Sequence, residues 1–197
     1  MARDRAGRPE AKPLRLFVAV DIPEEAKALA EEAVAPWRER FPKARWVPSE
    51  NWHVTLKFLG STWPRLVDWV SETVAAVAAA RGPFDVSLDG LGSFPSARRA
   101  RVVWVGMTDP SGGLAALAGA LQEALAKEFE PEKRAFAAHL TVARSDPPLT
   151  LPEEFAATVL RSDPFPIDRL VIYRSHLQRP APLYEPLQLF PLTGGDG

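Results

Sequence analysis

The sequence predicts an α+β protein in which two similar strand-and-helix halves form one compact bilobal body. Three observations carry this. Short apolar runs, several with polar residues at alternate positions, recur along the chain. Stretches with apolar residues three and four apart lie between them. The same register also appears twice, since Arg15 to His53 spans 38 positions and so does Arg101 to His139. A repeated supersecondary unit reads as a structural duplication. Two such copies ordinarily meet about a pseudo-two-fold axis, which would leave a cleft between them.

Each element follows from local pattern. Residues 1–13 are charged and aperiodic, which predicts a disordered tail ahead of a single domain over 14–192. Leu14–Val20 is an apolar, central strand. Asp21-Ile22-Pro23-Glu24-Glu25 opens a helix, with proline early and acids in the first turn. Its stripe is Leu29, Ala33, Val34 and Trp37. Trp46-Val47-Pro48 is extended and leads into a strand ending near Leu59. Trp63-Pro64 starts a helix with stripe Leu66, Val70, Val74 and Val77. Phe84–Leu91 alternates as a strand, residues 92–100 make a basic connector, and Arg101–Met107 is a strand again. The second half then repeats the order. It has a helix over about residues 112–129 and a strand at His139, followed by a helical stretch and a Pro164-Phe165 strand start. The closing strands are Arg169–Ser175 and Tyr184–Phe190, and 193–197 is a glycine-rich flexible tail.

The chemistry concentrates in Trp52-His53-Val54-Thr55-Leu56-Lys57-Phe58-Leu59 and its echo Ala138-His139-Leu140-Thr141-Val142-Ala143-Arg144. Side chains two apart share a face of a strand. His53 and Thr55 therefore point one way, with Trp52, Val54, Leu56 and Phe58 on the other side. His139 and Thr141 form the matching pair. The chain has three histidines, and two of them fall in this pattern. Opposed imidazoles suit in-line displacement at phosphorus, where one side loses a proton and the other gains one. Histidine titrates near neutrality and can serve both tasks. Threonine hydroxyls can donate to phosphoryl oxygens, and Lys57 and Arg144 are candidates for added positive charge. A lone His-x-Thr is ordinary strand sequence; the repeat is what makes the pair informative. A metal held by two histidines is disfavoured, because Glu50 and Asp146 are the nearest carboxylates to the two rings in sequence. No metal or other cofactor is expected.

Composition limits the alternatives. The net charge of −1 offers no global attraction to nucleic acid, so any basic surface is local. The absence of cysteine removes thiol nucleophiles, thiolate metal sites and disulfides. No signal-peptide core and no run of membrane-spanning length is seen, so a cytoplasmic protein without a membrane partner is expected. His176 reads as solvent-exposed. Arg98, Arg99 and Arg101 form either an RNA-facing cluster or a solvated loop. Phe17, Trp46 and Trp52 could stack bases, though Trp52 reads as core. Tyr184 is a weaker candidate for the cleft.

The doubled motif resembles the two-histidine phosphoesterase superfamily. More narrowly, the chain is similar to bacterial and archaeal RNA 2′,3′-cyclic phosphodiesterases, formerly called 2′-5′ RNA ligases. Arg15-Leu16-Phe17-Val18-Ala19-Val20, the run from Trp46 to Gly60, Leu91-Gly92-Ser93-Phe94-Pro95, the His139–Arg144 stretch and Tyr173-Arg174-Ser175 carry the likeness, which spans residues 14–192. The resemblance implies two antiparallel sheets flanked by helices around a basic, water-filled cleft. It implies metal-independent hydrolysis of RNA 2′,3′-cyclic phosphate ends to 2′-phosphomonoesters, with possible reverse 2′-5′ ligation. It makes His53 the general acid and His139 the general base, with Thr55 and Thr141 on the phosphate. Where relatives often carry arginine or proline before the second histidine, this chain has Ala137-Ala138, which leaves Arg134 or Arg144 to supply a phosphate-side arginine. Competing expectations are a phosphodiesterase for another small cyclic or 2′-5′ nucleotide, and a non-catalytic RNA-end binding module.

Overall fold

A computed structural model describes residues 12–178 and 181–194. Most of the two tails expected at the termini lies outside the described residues. At the C-terminal side, the Gly194 N–H donates to the Arg81 carbonyl at 3.1 Å.

The elements are β1 (Leu14–Asp21), α1 (Glu24–Arg40), β2 (Arg45–Trp46), β3 (His53–Thr62), α2 (Val67–Ala79), β4 (Phe84–Phe94), β5 (Ala100–Thr108), α3 (Gly113–Ala124), β6 (His139–Leu149), α4 (Glu153–Ala156), β7 (Phe165–Ile167), β8 (Arg169–His176) and β9 (Leu183–Pro191). They build two antiparallel sheets, ordered β3-β1-β8-β9 and β2-β6-β5-β4-β7. The α+β class and the duplication expected from the sequence are both present. Four boundaries differ from the sequence reading: β3 runs on past Leu59 to Thr62, α3 ends at Ala124 short of 129, and two strands are longer still. β6 runs on to Leu149, so the helical stretch after the second histidine shrinks to the single turn of α4. β4 extends through Gly92 to Phe94, into what reads as a connector.

The halves share a register down to its irregularity. β1 meets β3 with Asp21 opposite His53, Ala19 opposite Thr55, Val18 opposite Lys57 and Phe17 opposite Phe58. β5 meets β6 with Gly106 opposite His139, Trp104 opposite Thr141, Val103 opposite Ala143 and Val102 opposite Arg144. One residue after each threonine, Leu56 or Val142, is skipped as a β-bulge. Such a bulge bends the strand and re-aims the side chains beyond it.

The halves also exchange elements. β4 leaves the first half to pair with β5, and β8 leaves the second to pair with β1. β4 and β7 pair antiparallel with Phe84 opposite Ile167, Asp85 opposite Pro166 and Val86 opposite Phe165, which is where a two-fold axis would pass. α3 packs its apolar stripe, with Leu114, Leu117 and Leu121 fully buried, on the side of β3. Truncating any one of these leucines to alanine costs about 2–5 kcal/mol. The carboxylate of Asp109 caps α3 by accepting from the Gly113 and Leu114 N–H groups. From the first half, Trp37 of α1 sets its ring edge-on to Phe155 and donates to the Thr158 hydroxyl. The two lobes thus share one apolar core.

Candidate active site

β3 and β6 bring their histidines to a single open cleft of about 540 Å³, lined also by Thr55, Thr141, Arg15, Arg45 and Arg144. No carboxylate is among the described residues that line it. In a chain of net charge −1, this cleft is a local basic surface. A larger depression, about 640 Å³ beside the start of α1, collects Asp21, Glu25, Asp163 and Asp168 and is ill-suited to an anion.

One backbone device fixes both imidazoles. His53 Nδ1 lies 2.8 Å from the Asn51 carbonyl, and His139 Nδ1 lies 2.7 Å from the Ala137 carbonyl. A carbonyl only accepts, so Nδ1 carries the proton in each ring and Nε2 is left for chemistry. In the neutral ring His53 Nε2 accepts from the Thr55 hydroxyl at 3.1 Å.

The niches differ. His53 stacks on Phe17 at 4.7 Å and meets Tyr184 edge-on at 5.1 Å, with Tyr173 behind. Burial pushes its pKa down to about 4, against the partial opposing effects of the Asn51 carbonyl and the Asp21 carboxylate. Asp21 faces His53 across the strand pair and accepts from the Tyr173 hydroxyl at 2.5 Å. Burial and that carboxylate raise the Tyr173 pKa, so the phenol keeps its proton. His139 sits edge-on to Phe94 at 5.1 Å with Trp104 tilted beside it, and burial lowers its pKa as well.

The bulges correct two expectations and explain a third. Lys57 is not at the cleft. It is 1% exposed and donates to Gln122 Oε1 at 2.5 Å and the Glu130 carbonyl at 2.8 Å, joining β3 to the segment before β6. Alternation from Thr55 is broken at Leu56, which turns Lys57 inward. For the same reason Phe58, expected on the apolar face, is 42% exposed in the cleft, with the Arg15 guanidinium 4.7 Å above its ring. Arg144 reaches the cleft as expected, and the bulge at Val142 is what turns it there.

Other candidates resolve locally. Arg134 is exposed outside the cleft. Trp52 is core. His176 pairs with Glu185 at 2.7 Å, and Arg101 with Asp146 at 3.0 Å. Arg15, Arg45 and Asn51 line the cleft unannounced by the motif reading. Arg15 could have been found by alternation with Phe17; nothing local in sequence singles out Arg45.

Residues 23–179 match the family described as the 2′-5′ RNA ligase superfamily. The chain belongs to the 2′-5′ RNA ligase superfamily. It is 32% identical over 181 residues to the RNA 2′,3′-cyclic phosphodiesterase of Geobacillus stearothermophilus, covering 90% of this chain but 57% of that protein. It is 32% identical over 192 residues to the RNA 2′,3′-cyclic phosphodiesterase of Escherichia coli K12, covering 92% and 98% of the two chains. Its fold is similar to the crystal structure of TT0787 of Thermus thermophilus, with a TM-score of 0.76 and 28% identity over 93% of this chain and 100% of that one. Among the described residues no helix is long and apolar enough to cross a membrane, and no group of three His, Asp or Glu is placed to hold a metal ion.

Proposed function

We propose that the protein opens RNA 2′,3′-cyclic phosphate ends to 2′-phosphomonoesters by paired-histidine acid–base catalysis. The observation that carries this reading is that both histidines, each with Nδ1 tied to a carbonyl, share one cleft whose fixed charges are all arginine. His139 Nε2, neutral, takes a proton from the attacking water. The oxygen bonds to phosphorus, the bond to the 3′ oxygen breaks, and His53 Nε2–H protonates that leaving oxygen. The product is a 2′-phosphomonoester and a 3′ hydroxyl, with the proton moved from one ring to the other. Thr55 and Thr141 hydroxyls and Arg144 bind the non-bridging oxygens, where charge accumulates. With a 5′ hydroxyl in place of water as the attacking group, the same two proton transfers yield a 2′-5′ linkage and a 3′ hydroxyl.

Asp21 partly offsets the burial that lowers the His53 pKa, which fits His53 for the acid role once substrate is bound. A carboxylate opposite an imidazole favours its charged form, and the position opposite His139 is Gly106. Substrate brings a further negative charge beside both rings and raises both pKa values. The names of the Geobacillus and E. coli relatives supply the substrate class. The test is incubation with adenosine 2′,3′-cyclic phosphate in EDTA, with the product identified by phosphorus NMR. A 2′-phosphate is expected; a 3′-phosphate would exchange the leaving oxygens, and binding without turnover would leave only an RNA-end binding module.

A further inference from the structure

Arg45 on β2 is directly opposite Arg144 on β6. Opposed residues of an antiparallel pair share a face with Cβ atoms about 4.5–5.5 Å apart, and like charges placed so are destabilising. Neither arginine has a carboxylate partner among the ion pairs of the described residues. The pair also stands at a boundary. Both side chains line the histidine cleft, and both line a second depression of about 980 Å³ that opens from it. That outer groove has no carboxylate among the described residues lining it, and its walls include Trp46, Leu177 and Tyr184. Leu177 is 77% exposed there.

We propose that Arg45 and Arg144 together hold the internucleotide phosphate one residue upstream of the cyclic end, and that the outer groove receives the nucleotide beyond it. This rests on the hydrolase reading above, since the cyclic phosphate must occupy the space between the histidines. That phosphate already has two imidazoles and two threonine hydroxyls about it. Arg144 stands between the two phosphates, and Arg45 faces the outer one. A guanidinium suits a phosphodiester because it can give two parallel hydrogen bonds to its oxygens. An anion between the two forks cancels the repulsion that the empty pair carries. The apolar walls give the base of the upstream nucleotide a dry surface, with the Tyr184 ring available for stacking. The site thus distinguishes an RNA chain end from a free cyclic mononucleotide, which leaves Arg45 uncompensated.

Calorimetric titration tests this without any need for turnover. Two dinucleotides ending in a 2′-phosphate are compared, one with the ordinary internucleotide diester and one with a neutral methylphosphonate linkage. The protein is expected to bind the charged one about tenfold tighter, the scale of one charge-assisted contact. In Arg45→Ala the two affinities converge. In Arg45→Lys, which keeps the charge and loses the fork, part of the preference survives. Equal affinities in the unaltered protein, or an undiminished preference in Arg45→Ala, would overturn the proposal. Turnover of the mononucleotide cyclic phosphate decides the hydrolase reading separately.

Discussion

The two histidine strands are copies in backbone and opposites in surroundings. Both tie Nδ1 to a carbonyl two residues back, both skip one residue after the threonine, and both send the residue five after the histidine into the cleft. That residue is Phe58 in one strand and Arg144 in the other. Opposite the imidazole stands Asp21 in one half and Gly106 in the other. The backbone bars a mirror-image acid, because a Cβ at Gly106 would sit 2.4 Å from the Asp89 carbonyl oxygen. Trp104 closes the second niche by lying across Gly92, where a Cβ would come within 2.2 Å of its ring. On the proposed mechanism, what is duplicated is the part that in-line displacement needs on both sides of phosphorus, and what has diverged is the part that separates acid from base.

The harshest way to break this comparison is to remove each ring in turn. His53→Ala and His139→Ala should each lower the turnover of a cyclic nucleotide by about 10²–10⁴-fold, the usual worth of one positioned proton transfer. The double variant should lose much less than the product of the two, because the groups act as a unit. Circular dichroism should be unchanged in all three. A single variant within a few-fold of the parent would mean that only one half carries chemistry.

How much of this was legible in the sequence follows from the period of a strand. His53, Thr55, His139 and Thr141 precede their bulges, so simple alternation placed them correctly. Lys57, Phe58 and Arg144 follow the bulges, and alternation misassigned or left open all three. A bulge is a pairing irregularity between two strands, and neither strand encodes it visibly alone. The exchange of β4 and β8 between halves was hidden for a related reason. Periodicity says that a strand exists but not which neighbour it pairs with. Asp21 read as a helix-opening acid, and its place opposite His53 emerges only with the register of β1 and β3.

Lys57 sharpens the comparison through stability. Its counterpart is Ala143, so the first half spends a buried cation on a tie that the second half lacks. Burial lowers its pKa, yet Gln122 Oε1 and the Glu130 carbonyl both depend on it. Lys57→Met should leave those acceptors unpaired and destabilise the fold by about 1–3 kcal/mol, read from the urea midpoint. The KM for the cyclic nucleotide should shift little in comparison. A tenfold rise in KM at unchanged stability would return Lys57 to the phosphate.

The smallest effect is also the most discriminating, because it separates electrostatics from scaffolding. Burial holds both imidazoles below the ordinary value of 6.5 in the empty cleft. In the proposed mechanism the active form has His53 protonated and His139 neutral, so kcat/KM, which reports the free protein, should peak below pH 6.5. For kcat the peak should move up, since bound phosphate favours both imidazolium forms. The charges that shift the His53 pKa are Asp21 on β1, Lys27 on α1 and Arg144 on β6, and the rings of Tyr173 on β8 and Tyr184 on β9 pack against it. Of these, Asp21 alone is a carboxylate that raises its pKa. Asp21→Asn keeps the shape and can still accept from Tyr173, but it withdraws that charge. Above the peak the rate tracks the protonated fraction of His53, so it should fall about tenfold for each unit by which the His53 pKa drops. Below the peak the rate tracks neutral His139 and should stay where it was. A loss of equal size at every pH would make Asp21 a structural strut instead and leave the two niches electrostatically alike.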